Sequence, residues 1–114
     1  MKINELRFGN LVQWGDGEIV VDINLMRDFD VYSRNGLEPI PLTEEWLLKF
    51  GFEYISKTSY SSNQAKDYKV WSRYNFTFNE IQNRWWHGNL PLEFQPKYVH
   101  QLQNLYFAVT GEEL

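Results

Sequence analysis

The sequence predicts an α+β protein, a single compact domain over residues 1–114 in which antiparallel strands are joined by a short capped helix and closed by a C-terminal amphipathic helix. Three observations lead there. Asp16-Gly17 and Asn35-Gly36 each stand between short runs rich in β-branched and aromatic residues, a strong hairpin signal. The stretch PIPLTEEWLLKFGF at 39–52 carries both the start and the stop signals of a helix. Tyr98, Leu102, Leu105 and Val109 recur at helical spacing ahead of Gly111.

Residues 1–41 form the first strand group. Leu11–Trp14 and Ile19–Ile23 read as two strands joined through Gly15-Asp16-Gly17. In the next run Phe29 and Val31 alternate with Asp30 and Tyr32, so 29–34 is expected as a strand. It turns at Asn35-Gly36 and returns over Leu37–Ile40. Pro39 and Pro41 cannot donate to a ladder, which places this last strand at an edge or ends it there. Four short strands in so little chain suggest a small curled antiparallel sheet or an SH3-like barrel.

The helix over 44–50, within the segment 42–52, is specified locally. Thr43 is an N-cap residue type, and Glu44 and Glu45 favour the positive end of the helix dipole. Leu42 and Leu47 are spaced for a hydrophobic staple. Gly51 supplies the left-handed residue that ends the helix, with Phe52 folding back.

Residues 56–66, SKTSYSSNQAK, are polar and serine-rich and read as a loop. The second strand group covers 67–94. Alternation places Tyr68, Val70 and Ser72 on one face and Lys69, Trp71 and Arg73 on the other. Phe76–Phe78 continues as strand, and a hairpin turns at Gly88-Asn89. Trp85 and Trp86 are adjacent, so they point to opposite faces: one joins the core and the other is left for a ligand or partner. The C-terminal helix covers 97–110, with His100, Gln103 and Asn104 nearer its polar side.

Composition narrows the chemistry. There is no cysteine, which excludes disulfides, thiolate metal sites and a cysteine nucleophile. His87 and His100 lie in different elements without a second ligand at metal-binding spacing, so neither a metal nor a cofactor is implied. Phosphate-loop and nucleophile-elbow motifs are absent, and Ser59, Ser61 and Ser62 have no oriented base. His87 with Glu80 or Glu93 is the one acid–base pairing to weigh, and the inventory favours a protein that is not an enzyme. No apolar run reaches the roughly 18 residues of a membrane span, and the start MKINELRFGN is not a signal peptide, so a cytoplasmic protein is expected.

The charge is segregated. Net charge is −4, yet residues 57–87 hold Lys57, Lys66, Lys69, Arg73 and Arg84 against Asp67 and Glu80. Aromatics, 18% of the chain, interleave with these cations. Arginine grips phosphate bidentately, lysine adds point charge and tryptophan stacks a base. Lys69, Trp71, Arg73, Arg84, Trp85, Trp86 and His87 are therefore the candidate ligand-binding set, with no catalytic residue among them. The bland alternative is an ordinary solvated strand face over an aromatic core. The acidic remainder of the chain argues against general nucleic-acid binding.

Three stretches, INELRFGNLV at 3–12, PIPLTEEWLLKFGF at 39–52 and KYVHQLQNLYFAVTGEEL at 97–114, resemble a family of small proteins encoded by phages, prophages and conjugative elements of gut anaerobic bacteria. The family brings no catalytic residue to carry over. The resemblance implies an accessory factor acting in the cytoplasm of a host cell, with the stretches at the ends as scaffold and the middle as the specific part. The expectation is a non-enzymatic binding protein that sequesters a small anionic nucleotide, of an anti-defence type. The alternatives are a module that binds and modulates a host protein, a homo-oligomer, or a binder of single-stranded nucleic acid.

Overall fold

The computed structural model describes residues 1–61 and 63–114, so Ser62 of the expected 56–66 loop lies outside the described residues. The α+β class holds: among the described residues four α-helices and a short 3-10 helix accompany two antiparallel sheets. Backbone contacts divide the chain into two compact units, Met1–Leu42 with Pro96–Leu114, and Thr43–Gln95.

In the first unit, β1 (Leu11–Trp14) pairs antiparallel with β2 (Gly17–Val20), with Val12 opposite Ile19 and Trp14 opposite Gly17. Gly15, at φ +64, takes the left-handed position of this tight turn. The expected second strand does not extend to Ile23. Asp22 instead accepts the Leu25 amide at 2.9 Å and caps helix α1 (Ile23–Arg27).

The strand expected at 29–34 is helix α2 (Phe29–Arg34). Leu25, Met26, Phe29 and Tyr32 recur at helical spacing and pack with Leu6, Val12, Val21 and Leu37. The Phe29/Val31 alternation that suggested a strand was accidental, because Val31 is exposed. Asn35-Gly36 is accordingly a helix stop, with Gly36 at φ +91. The chain then enters β3 (Leu37–Glu38), which pairs only with β1 and ends before Pro39, at the sheet edge as the prolines require. The first sheet is thus a small antiparallel one of three strands, in the order β2-β1-β3, where four strands were expected.

Helix α4 (Val99–Thr110) completes this unit, ending at Gly111 in the left-handed conformation. Of the expected stripe Leu102 is buried while Tyr98, Leu105 and Val109 are half-buried; the buried apolar face runs through Val99, Leu102 and Tyr106. His100 and Gln103, expected on the polar side, are buried too. Gln103 Oε1 accepts the Leu11 amide at 2.8 Å, and its Nε2 donates to Gly9 O at 3.3 Å. Asn10 Nδ2 donates to Asn104 Oδ1 and Asn104 Nδ2 to Glu5 O, each at 2.8 Å. Arg7 Nη2 reaches Glu113 at 3.1 Å. The polar residues of the helix therefore grip the first strand and the turn before it. At the neck of the unit Pro41 bridges to Tyr98, and Val99 N donates to Ile40 O at 2.8 Å.

The second unit opens with α3 (Glu44–Lys49). Its stop is as expected: Phe52 N donates to Leu47 O and Gly51 N to Leu48 O, each at 3.0 Å, with Gly51 at φ +83. Its start differs, because Thr43 has the extended N-cap backbone but its hydroxyl accepts no capping bond. A five-stranded antiparallel sheet follows in the order β4-β5-β6-β7-β8, with β4 (Glu53–Ser61), β5 (Gln64–Arg73), β6 (Phe76–Asn79), β7 (Arg84–His87) and β8 (Leu90–Pro91).

Of the expected polar loop at 56–66, residues 56–61 and 64–66 instead belong to the long β4–β5 hairpin, in register from Glu53 opposite Ser72 to Ser61 opposite Gln64. This hairpin is exposed on both faces over most of its length, so it lacks the apolar alternation that marks a strand. Cross-strand pairs hold it: the Thr58 hydroxyl donates to the Asp67 carboxylate at 2.9 Å, and the Tyr54 and Trp71 rings lie 4.8 Å apart. The Gly88-Asn89 hairpin joins β7 and β8 as expected.

Candidate functional site

Strand register divides the seven candidate residues between two faces. Trp71, Phe78 and Trp85 stand in one cross-strand row, and Arg73, Phe76 and His87 in the next. Directly opposite residues share a face, so Lys69, Trp71, Arg73, Trp85 and His87 are on one side and Arg84 and Trp86 on the other. The first side is the core side. Trp71 is 1% exposed and Trp85 2%. Trp85 stacks on Phe78 with centroids 4.9 Å apart and meets Phe76 and Phe52 at 5.3 and 5.8 Å. Neither indole has a free face to offer a ligand, which removes Trp71 and Trp85 from the candidate set and identifies Trp86 as the outer member of its pair.

The cations on this side are engaged by α3. Lys69 Nζ lies 3.3 Å from the Glu44 carboxylate and 4.6 Å from the Tyr54 ring centroid. Arg73 Nη1 donates to Phe50 O at 2.7 Å, placing a guanidinium on the carbonyl end of the helix. His87 is half-buried at the end of the same face.

Arg73 nevertheless reaches solvent at an open cleft of about 540 Å³ lined by Lys49, Phe50, Gly51, Glu53, Arg73 and Tyr74. Tyr74 is 82% exposed and has φ +54, a left-handed conformation that a bulky side chain rarely adopts and that carries strain. The Arg73 guanidinium carbon is 5.8 Å from the Tyr74 ring centroid. Lys49 lines the same cleft, with its ammonium 4.4 Å from the Trp46 ring. The cleft thus offers an exposed ring, two cations and one carboxylate. Sequence reasoning missed Lys49 and Tyr74 as site residues. Tyr74-Asn75, standing between two strand runs, marked a turn tip, but nothing in the spacing brought Lys49 to it.

On the opposite face the Arg84 guanidinium lies 6.0 Å from the Trp86 ring, and Trp86 Nε1 donates to Gln82 Oε1 at 3.1 Å. Thr77 and Pro91 flank Trp86 in its row. In the first unit a smaller groove of about 350 Å³ is lined by Trp14, Ile19, Val20, Asp22, Leu25 and Tyr32.

Among the described residues no group of three or more His, Asp or Glu is placed to hold a metal. Also among the described residues, no helix is long and apolar enough to cross a membrane. Comparison with family models, curated proteins and solved structures returns no match.

Proposed function

We propose that the chain is a non-enzymatic binding protein that sequesters a small anionic nucleotide in the Lys49–Arg73–Tyr74 cleft, as an accessory factor of a mobile element. The observation that carries this reading is Tyr74, an exposed aromatic ring held in a strained backbone conformation beside Arg73 and Lys49. The ring provides a stacking platform for a base, and the two cations provide the attraction for phosphate. Glu53 can accept from a ribose hydroxyl or a base amino group.

The test is calorimetric titration with nucleoside monophosphates, diphosphates and cyclic dinucleotides, on the native chain and on Tyr74→Gly and Lys49→Ala. Tyr74→Gly removes the ring and relieves the positive φ together, so it separates binding from folding. Expected is loss of binding with stability kept or raised. Undiminished affinity in both variants, or no heat with any nucleotide, sinks the reading.

A second reading rests on Trp86 with Arg84. Tryptophan and arginine dominate interface hot spots, and this pair lies on the sheet face away from the aromatic core. It makes the chain a module for a host protein. Capture of one stoichiometric protein, lost on Trp86→Ala and kept on Tyr74→Gly, would favour it over nucleotide binding.

A further inference from the structure

We propose that β4 is a self-pairing edge, and that two copies of this chain join β4 to β4 antiparallel about a two-fold axis at Ile55. The sheet ends very differently at its two sides. β8 has two residues, one of them Pro91, which has no N–H to donate. β4 has nine residues, none of them proline, and among the described residues it pairs with β5 alone. Eight of the nine are exposed. Such an edge presents a row of backbone donors and acceptors open to another strand.

Strand geometry restricts how two copies can meet. Backbone groups point alternately toward and away from β5, so outward groups of both copies face each other only when the axis passes through a residue. The choices are then few. An axis at Lys57 sets Lys57 against its own copy. An axis at Tyr54 sets Glu53 against Ile55, and one at Ser56 sets Lys57 against Ile55. At Thr58 the charged residues find only serines or no partner. An axis at Ile55 sets Glu53 opposite Lys57 twice over and Ile55 opposite itself, with Tyr54 opposite Ser56.

This register alone pairs opposite charges across the seam, and opposite charges directly across two strands attract while like charges repel. It also covers Ile55, which is 59% exposed. Ile55 stands opposite Val70 of β5 on its other side, so the pairing extends an apolar row across the junction. A lysine at a strand edge ordinarily discourages pairing. Here Lys57 blocks the register centred on itself and selects the one centred on Ile55.

Sedimentation velocity over a range of protein concentrations tests this. Expected is a shift from monomer toward dimer as concentration rises for the native chain. Glu53→Lys and Lys57→Glu alone should each weaken the dimer at least several-fold, because each sets like charges across the seam. The double variant restores the opposite pairing and should recover the dimer. Circular dichroism on each variant verifies the fold, which these exposed positions do not threaten. A native chain that stays monomeric at the highest concentration overturns the proposal. So does a dimer that the single reversals leave intact, or a double variant no better than the singles.

Discussion

Gln103 Oε1 accepts the backbone N–H of Leu11 at 2.8 Å. This bond joins the last helix to the first strand, across most of the length of the sequence. Replacing Gln103 by Leu leaves the part-buried Leu11 donor without its acceptor. The expected loss is about 1–3 kcal/mol of unfolding free energy, read from urea denaturation. A loss of a few tenths would mean that water takes the place of the amide.

His100 gives the first unit an acid sensitivity. His100 is 1% exposed, its ring stacks near Tyr98 with centroids 6.1 Å apart, and neither nitrogen has a hydrogen-bond partner among the described residues. Burial holds its pKa below the ordinary value near 6.5, and the Glu5 carboxylate opposes that shift only in part. The unfolded chain therefore takes up a proton near pH 6.5 that the folded chain refuses until a lower pH. The stability due to a neutral His100 is complete above 6.5 and is lost as pH falls from there to the folded pKa. His100→Leu should flatten that part of the profile. Denaturation curves at pH 7 and pH 5 for both proteins check it, and an equal drop in both would remove His100 as the cause.

The adjacent tryptophans should separate cleanly. Trp85 sits among Phe52, Phe76 and Phe78, so Trp85→Ala should cost about 3–5 kcal/mol. Trp86 is half-buried on the other face, and Trp86→Ala should cost less than half as much. Chemical denaturation of the two variants decides, and equal costs would contradict the assignment of faces.

Gly51→Ala isolates a backbone cost. Gly51 has φ +83, and a Cβ there would meet nothing within 4 Å. The penalty is conformational and not steric, about 1 kcal/mol. A shift in midpoint without a change in slope is expected in urea.

Sequence signals succeeded where the determinants were local. The stop of α3 was legible because Gly51 and Phe52 act within one turn of the helix, and opposite faces for Trp85 and Trp86 follow from adjacency alone. They failed where a neighbour distant in sequence decides. Lys69, Trp71 and Arg73 do share a face, but nothing nearby says that Glu44 and the Phe50 carbonyl wait on that side. The β4–β5 hairpin was read as a loop because strands exposed on both faces have no apolar rhythm. In α2, two residues imitated the period of a strand while Phe29 and Tyr32, with Leu25 of α1 before them, kept the period of a helix. Gln103 was assigned to the polar side by its residue type, yet its amide is what a buried strand start needs.

The neck at Pro41 and Tyr98 makes the first unit discontinuous in sequence. Everything from Thr43 to Gln95 is strung between two segments that meet there. The inserted segment separates Leu11 from Val99–Thr110 by most of the sequence, so the contact between them closes a long loop. Until that loop closes, the Leu11 donor stays unclasped and the groups that α4 covers stay wet.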